Sequence, residues 1–167
     1  MTAFHLKLRC FGGKYERIFE DFINMYVFAA AGCTGAEASG TGGYTEDLIY
    51  ITVDNTTLTA KLADNASSRA FKKLLEDRGA VTVRMHDFGG FEKVGPLGMT
   101  LPRSDTQITT EAGDIILYQG NQITIYYDVN SWSFTRLGRI QNITQAQLKA
   151  ILGYGDVEVV FSLTKRG

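Results

Sequence analysis

A histidine at the end of a candidate strand offers the clearest acid–base chemistry in this sequence. His86 can serve as a general base if a carboxylate orients its ring, and Glu92 and Asp105 are the candidate partners. Ser131 or Ser133 would then supply the hydroxyl nucleophile of a hydrolase triad. No nucleophile-elbow motif accompanies these residues. We therefore favour the alternative, an imidazole that forms a hydrogen bond near the rim of the fold.

A polar and aromatic block follows further along the chain. Residues 130–136 have the sequence N-S-W-S-F-T-R and contain Trp132, the only tryptophan, together with Arg136. A tryptophan beside an arginine and small hydroxyls suits a groove that binds a peptide or a ring. The alternative is a tryptophan whose ring plugs the end of the fold while its N–H finds an internal partner.

Two charged pairs lie in a segment rich in glycine and proline. Glu92 is followed by Lys93, and Arg103 stands two residues before Asp105. We expect these charges to pin the segment to the domain, with ligand binding as the alternative. No spacing of His, Cys, Asp or Glu favours a metal site. No glycine pattern favours a phosphate or dinucleotide site, so the sequence predicts neither metal nor cofactor.

The composition is that of an ordinary globular domain. The chain has 167 residues, 17 basic and 18 acidic, for a net charge of −1. That balance argues against nucleic-acid binding, which usually requires a basic surplus. Two histidines and two cysteines are too few for a zinc-finger array or a ferredoxin cluster. No apolar run is long enough for an ordinary transmembrane helix.

The N-terminal segment, residues 1–47, differs from the rest of the chain. An apolar run from Phe22 to Gly32 ends at Cys33, and Ala30-Ala31-Gly32-Cys33 resembles the lipobox of bacterial lipoproteins. A stretch rich in Thr, Gly, Ala and Ser follows, as a tether would. Against a lipobox, Ala30 replaces the usual leucine and acidic residues adjoin the run. The alternatives are an amphipathic helix over Tyr15–Ala31 and a start site elsewhere.

Residues 48–167 show regular alternation, which predicts an all-β domain with two helices. Asn65 can cap a helix over Ala66–Arg78, and Thr144 with Gln147 fits a capping box. Tyr126 and Tyr127 must face opposite sides of their strand. An irregular connection is expected from Asp87 to about Asp105. The expected strands are 48–54, 57–63, 80–86, 107–110, 114–118, 122–128, 133–140 and 156–164. About eight short strands favour a closed antiparallel barrel, because closure removes exposed edges.

Five sequence blocks resemble the bacterial cyclophilin-like domain family. They are A-S-S-R-A-F at 66–71, E-K-V-G-P-L at 92–97, L-P-R-S-D at 101–105, G-D-I-I-L-Y-Q-G-N-Q-I at 113–123 and N-S-W-S-F-T-R-L-G-R-I at 130–140. The resemblance implies a mainly β fold, a closed eight-stranded antiparallel barrel with two capping helices. True cyclophilins are prolyl isomerases with F-H-R-type and Q-G-G-D-type segments. Neither segment is present, since Gln119-Gly120 is followed by Asn121, so no isomerase residue is carried over.

The sequence therefore predicts a non-catalytic domain that binds a peptide or a small molecule. Its groove would lie between the segment 88–105 and the Trp132 block, and the domain would bind no nucleic acid. The candidate ligand-binding residues are Arg84, His86, Phe88, Glu92, Asp105, Trp132 and Arg136.

The alternatives are a divergent prolyl isomerase, with Arg84 as the donor to the twisted amide, and a hydrolase that uses His86. Contact with a membrane is expected only through a lipid on Cys33, which would place the domain outside the cytoplasm. Without that lipid, a cytoplasmic location is expected. The sequence does not indicate an oligomeric state.

Overall fold

The computed structural model describes residues 47–165, and in this range the chain forms nine strands and two helices. Cys33 and the rest of the segment 1–46 lie outside the described residues, so the lipobox and its alternatives stay predictions. The first strand begins at Leu48. The elements are β1 (Leu48–Val53), β2 (Thr56–Leu62), α1 (Ala66–Arg78), β3 (Ala80–Phe88), β4 (Glu92–Pro96), β5 (Thr106–Thr109), β6 (Asp114–Tyr118), β7 (Gln122–Tyr126), β8 (Ser131–Ile140), α2 (Gln145–Leu152) and β9 (Val157–Ser162).

Eight of these strands close into an antiparallel barrel in the order β2-β1-β9-β3-β4-β7-β6-β8. Closure occurs where Ala60 to Leu62 of β2 pair with Gly138 to Ile140 of β8. The ninth strand, β5, lies outside the ring and pairs with the first half of β8. The predicted closed eight-stranded barrel with two helices is therefore confirmed. The predicted strand 107–110 corresponds to β5 and lies outside the ring, and β4, which was not predicted, is the eighth barrel strand.

Alternation along the strands separates the interior from the outward face. Ile49, Ile51 and Val53 of β1 are buried in the main core, as are the apolar residues at alternate positions of β3. Helix α1 adds Phe71, whose ring meets that of Phe161 edge to face at 5.7 Å. Complete burial of such a ring contributes on the order of 2–3 kcal/mol to folding. Apolar side chains thus fill the barrel interior.

Both helices begin at the predicted caps. The Asn65 side-chain oxygen accepts the backbone N–H of Ser68 at 2.9 Å, while its amide nitrogen donates to the carbonyl of Arg136 at 2.8 Å. The same residue therefore starts α1 and fixes it to β8. Thr144 and Gln147 form the predicted capping box of α2.

The expected irregular connection from Asp87 to Asp105 is wrong over its first half. Strand β3 continues to Phe88, and β4 spans Glu92–Pro96 and pairs with β3 and β7. Gly95 suggested a loop, but its role is steric: a Cβ there would lie 2.5 Å from the carbonyl oxygen of Arg84. Pro96 is the last residue of the strand, beyond the end of its pairing with β3 at Val94.

Gly138 offers a test of barrel closure. A Cβ at Gly138 would lie 2.5 Å from the carbonyl oxygen of Lys61, which is rigid backbone of the neighbouring strand. We expect Gly138→Ala to lower the free energy of unfolding by about 2–3 kcal/mol, measured by urea denaturation. The control is Gly98→Ala, where a Cβ meets nothing within 4 Å but φ is +78°. That variant should lose only roughly 1 kcal/mol. Equal losses would mean that close approach of β2 and β8 does not limit stability.

Candidate functional site

A surface cleft of about 470 Å³ lies beside the first half of β8. Three segments that are distant in sequence form it: the connection before β5, the end of β6 with its turn, and the start of β8. The lining residues are Arg103, Asp105, Leu117, Tyr118, Gln119, Trp132 and Ser133. The cleft therefore has aromatic and apolar walls together with one acidic and one basic side chain.

Trp132 presents its ring to solvent. It stands opposite Ile108 in the β5–β8 ladder, and 62% of the residue is exposed. The alternative in which this ring plugs the core is therefore wrong. Tyr118, the last residue of β6, is a second exposed aromatic residue of the same cleft. Two partly solvated rings at one concavity are typical of a binding surface.

Asp105 is held in a fixed position at the cleft. Its carboxylate accepts hydrogen bonds from the Arg103 guanidinium and the Thr135 hydroxyl. Burial alone would raise the pKa of Asp105, but these two bonds outweigh burial and the pKa is lowered. The Ser104 N–H donates to Thr135 Oγ1 at 2.9 Å, and Ser67 of α1 donates to the Pro102 carbonyl at 2.6 Å. The segment is thus tied to both β8 and α1.

Of the seven predicted ligand-binding residues, the structure brings only Asp105 and Trp132 into this cleft. The others lie elsewhere among the described residues. Arg84 is 81% exposed on β3, and its guanidinium pairs with Asp156 at 3.1 Å. Arg136 donates to Asp114 at 2.9 Å. Arg84, Phe88 and Arg136 therefore do not line the Trp132 cleft.

The hydrolase triad is also not assembled. His86 is exposed on β3, and among the described residues no hydrogen bond joins it to Ser131 or Ser133. The Ser131 hydroxyl is instead bonded to that of Thr109 at 2.7 Å. A proton cannot pass directly from either serine to the imidazole, since that requires hydrogen-bond contact.

His86, Phe88 and Glu92 do share the outward face of the β3–β4 hairpin. Phe88 is opposite Glu92, and His86 is opposite Val94 two residues further on. Glu92 is only 7% exposed and lies opposite Tyr126 on the neighbouring β7. Burial raises the pKa of Glu92, and Tyr126 and the nearby His86 offset part of that rise. Tyr126 and Tyr127 face opposite sides of the sheet, as predicted, because they pack in different apolar clusters.

Sequence reasoning missed a buried ionic cluster on the inward face. The Lys93 side chain has no exposed surface, and its amine donates to the Gly155 carbonyl at 2.7 Å and to Asp87 at 3.2 Å. The Tyr127 hydroxyl also donates to Asp87, and this bond is the main reason that the pKa of Asp87 is lowered. Strand alternation could have predicted this cluster, because Asp87 is the next residue after the alternate positions of β3 that point into the barrel.

Comparison with known proteins fits this architecture. The sequence model of the Cyclophilin-like family matches residues 51–162, about two thirds of the chain. The chain therefore belongs to the cyclophilin-like family. No curated protein matches this cyclophilin-like chain.

Solved structures share the fold of this cyclophilin-like domain at low identity. McbB in complex with tryptophan is 14% identical with a TM-score of 0.55, and the match covers 71% of this chain but only 45% of McbB. The hypothetical protein AF2241 from Archaeoglobus fulgidus is 14% identical with a TM-score of 0.52, covering 72% of this chain and 96% of that one. At such identity the likeness establishes the fold alone.

Two further observations concern the described part of this cyclophilin-like chain. Neither α1 nor α2 has the length and apolar character that a membrane-spanning helix needs. Among residues 47–165, no three His, Cys, Asp or Glu side chains are grouped as metal ligands would be.

The buried carboxyl of Glu92 predicts a specific pH dependence. Its pKa is raised in the folded state above the ordinary 4.5, so the unfolded chain releases the proton first and stability falls as pH rises through this interval. We expect Glu92→Gln to raise Tm at pH 8, by an amount equivalent to roughly 1 kcal/mol, with the difference shrinking near pH 4. The control is Glu158→Gln on an exposed position of β9. An equal Tm difference at both pH values would contradict this assignment.

Removing Asp87 and removing Lys93 should lower the free energy of unfolding by unequal amounts. Asp87→Ala leaves a fully buried ammonium group with only the Gly155 carbonyl, and should cost about 3 kcal/mol of unfolding free energy. Lys93→Met leaves a carboxylate that is 34% exposed and still bonded to Tyr127, and should cost about 1 kcal/mol. Chemical denaturation of both variants at pH 7 checks the order, and a larger loss for Lys93→Met would refute it.

Proposed function

We propose that this domain is a non-catalytic binding module that takes a peptide segment or a small molecule in the Trp132 cleft. The observation that carries the proposal is the exposed indole of Trp132, which faces a concavity beside Tyr118 and is 62% solvated. Covering such a ring with a ligand supplies roughly 2–3 kcal/mol of binding free energy.

The polar side of the cleft supports the same function. The Arg103 guanidinium pairs with Asp105, but the side chain is 57% exposed and a guanidinium carries five N–H donors. Donors therefore remain for a carbonyl or carboxylate of the ligand. The Thr135 and Ser104 bonds to this segment hold it in place before a ligand arrives, which lowers the entropic cost of binding. In this cleft Arg103 takes the donor role that the sequence suggested for Arg84 and Arg136.

Prolyl isomerisation is the second candidate, and the same cleft favours it. That reaction requires an apolar wall for the proline ring and a donor that stabilises the twisted amide. Trp132, Tyr118 and Arg103 combine both requirements within one cleft. Arg84, the earlier candidate donor, is instead an exposed partner of Asp156.

An NMR titration of the full chain with short proline-containing peptides tests both functions. Trp132 is the only tryptophan, so its indole N–H signal needs no assignment. We expect this signal to shift on binding. Trp132→Ala should weaken binding tenfold or more, as loss of a central aromatic anchor does. The control is Tyr154→Ala, which removes a fully exposed ring outside the cleft and should leave affinity unchanged.

Exchange between the cis and trans peptide forms separates the two functions. A binding module shifts the indole signal without accelerating exchange. Acceleration that is lost in Arg103→Ala would establish the isomerase instead. Peptide binding that persists unchanged in Trp132→Ala would exclude the cleft.

A further inference from the structure

The Trp132 cleft begins where two neighbouring strands of the barrel stop pairing. Strands β6 and β8 pair as far as Leu117 opposite Thr135, and their pairing ends there. Beyond that pair, Tyr118 lines the cleft on the β6 side, and Trp132 and Ser133 line it on the β8 side. The cleft therefore lies along a part of β8 that β6 does not cover.

The main-chain groups of β8 alternate between its two edges in this region. The Asn130 carbonyl accepts the Thr110 N–H at 2.7 Å, so Asn130 faces the chain that leads out of β5. In an antiparallel ladder, successive residues direct their N–H and C=O groups to opposite edges. Ser131 and Ser133 therefore direct theirs away from β5, toward the edge that β6 leaves uncovered.

Ser131 and Ser133 thus present a free strand edge. Among residues 47–165, no strand pairs with either residue on that side, and both residues are exposed. A strand edge offers a donor and an acceptor at every second residue, which matches the main chain of another extended segment. A small molecule has no such repeat, so this edge favours a peptide.

One face of the gap between β6 and β8 is aromatic. Ile116 and Phe134 belong to a single apolar cluster, so they lie on the same face of these strands. Tyr118 and Trp132 each stand two residues further along the same strands, and their rings therefore project from that face as well. A residue between the two strands would have an aromatic neighbour on each side.

The other face of the gap is polar. Ser133 shares this face with Thr135, whose hydroxyl donates to Asp105. Arg103 pairs with the same carboxylate and also lines the cleft. An extended segment in the gap would therefore meet aromatic rings with one set of alternate side chains and polar groups with the other.

We infer that the ligand is an extended peptide segment that adds to β8 as an antiparallel strand, in the direction that β6 takes further along. This inference rests on the proposed function, since it concerns the same cleft. One peptide residue would exchange N–H and C=O hydrogen bonds with Ser133. The residues on either side of it would direct their side chains between Trp132 and Tyr118. Their N–H groups would point away from β8, so a proline there loses no bond to β8.

The probe is the capped pentapeptide acetyl-Ala-Val-Thr-Pro-Ala-amide, added to the full chain. Its valine and proline suit the aromatic face, which places the central threonine opposite Ser133. N-methylation of that threonine removes the N–H that would donate to the Ser133 carbonyl. N-methylation of the valine, the matched control, removes an N–H that would point away from β8.

The Trp132 indole signal measures the affinity of each peptide. We expect methylation of the threonine to weaken binding about tenfold or more, and methylation of the valine to weaken it less than about twofold. Equal effects of the two methylations, with the Trp132 signal still shifting, would overturn strand addition and leave the cleft as the binding site.

Ser133→Pro removes the matching donor from the protein. Because this N–H takes no part in the β5 ladder, the strand should tolerate proline here. Binding of the unmethylated peptide should weaken about tenfold. The control is Gln107→Pro, which removes an N–H on the exposed outer edge of β5, outside the cleft, and should leave affinity unchanged. If Ser133→Pro does not fold, the two methylated peptides decide the question on the unaltered chain.

Amide hydrogen exchange locates the added strand. In the free protein Ser131 and Ser133 should exchange fast, while the alternate residues that face β5 are already protected. Saturating peptide should slow exchange at Ser131 and Ser133. Slowing at Gln107 and Thr109 instead would place the peptide on the outer edge of β5 and overturn the inference. The proposed function fails separately, if no proline-containing peptide shifts the Trp132 signal.

Discussion

The short ladder between β2 and β8 is the contact on which the remaining structure depends. It involves three residue pairs, and without it the eight strands would form an open sheet with two exposed edges. Closure gives the chain an inside and an outside, and every functional feature follows from that division. Gly138 permits the ladder because the Lys61 carbonyl occupies the space that a side chain would need.

Polar groups inside and outside the barrel behave differently for this reason. On the inward face Lys93 and Asp87 neutralise each other, and the Gly155 carbonyl and Tyr127 hydroxyl complete their hydrogen bonds. On the outward face the Asp114 side chain is as fully buried as that of Lys93, and Arg136 and Arg139 both donate to it. These clusters connect elements that are distant in sequence. Among the described residues, the buried side-chain atoms without a hydrogen-bond partner are Glu92 Oε2, Thr124 Oγ1 and Arg136 Nε.

Local rules predicted much of the fold. Alternation identified the buried faces of β1 and β3, and side-chain chemistry identified the caps at Asn65 and Thr144. These features depend on residues within one element, so the sequence displays them directly. Strand β4 was not predicted because Gly95 and Pro96 are typical of loops. Gly95 is required because the Arg84 carbonyl occupies the space of a side chain, and this contact exists only once β3 and β4 have paired.

The candidate site was less accessible to sequence reasoning. Asp105 and Trp132 stood out as residue types and do line one cleft, but Arg103 and Tyr118 join them through contacts that no local pattern reveals. Arg84 and His86 have suitable chemistry, yet neither residue lines this cleft. The sequence analysis grouped Lys93 with Glu92 as charges that pin one segment, whereas strand geometry sends the two side chains to opposite faces.

Fluorescence of Trp132 tests the central claim, that this cleft is the binding surface, most directly. In the free protein we expect emission close to that of a solvated indole and efficient quenching by acrylamide, since 62% of the residue is exposed. Saturating proline-containing peptide should shift the emission to shorter wavelength and protect the ring from acrylamide. If the peptide binds by an independent measure while emission and quenching stay unchanged, the ligand occupies another surface and the account of this cleft is wrong.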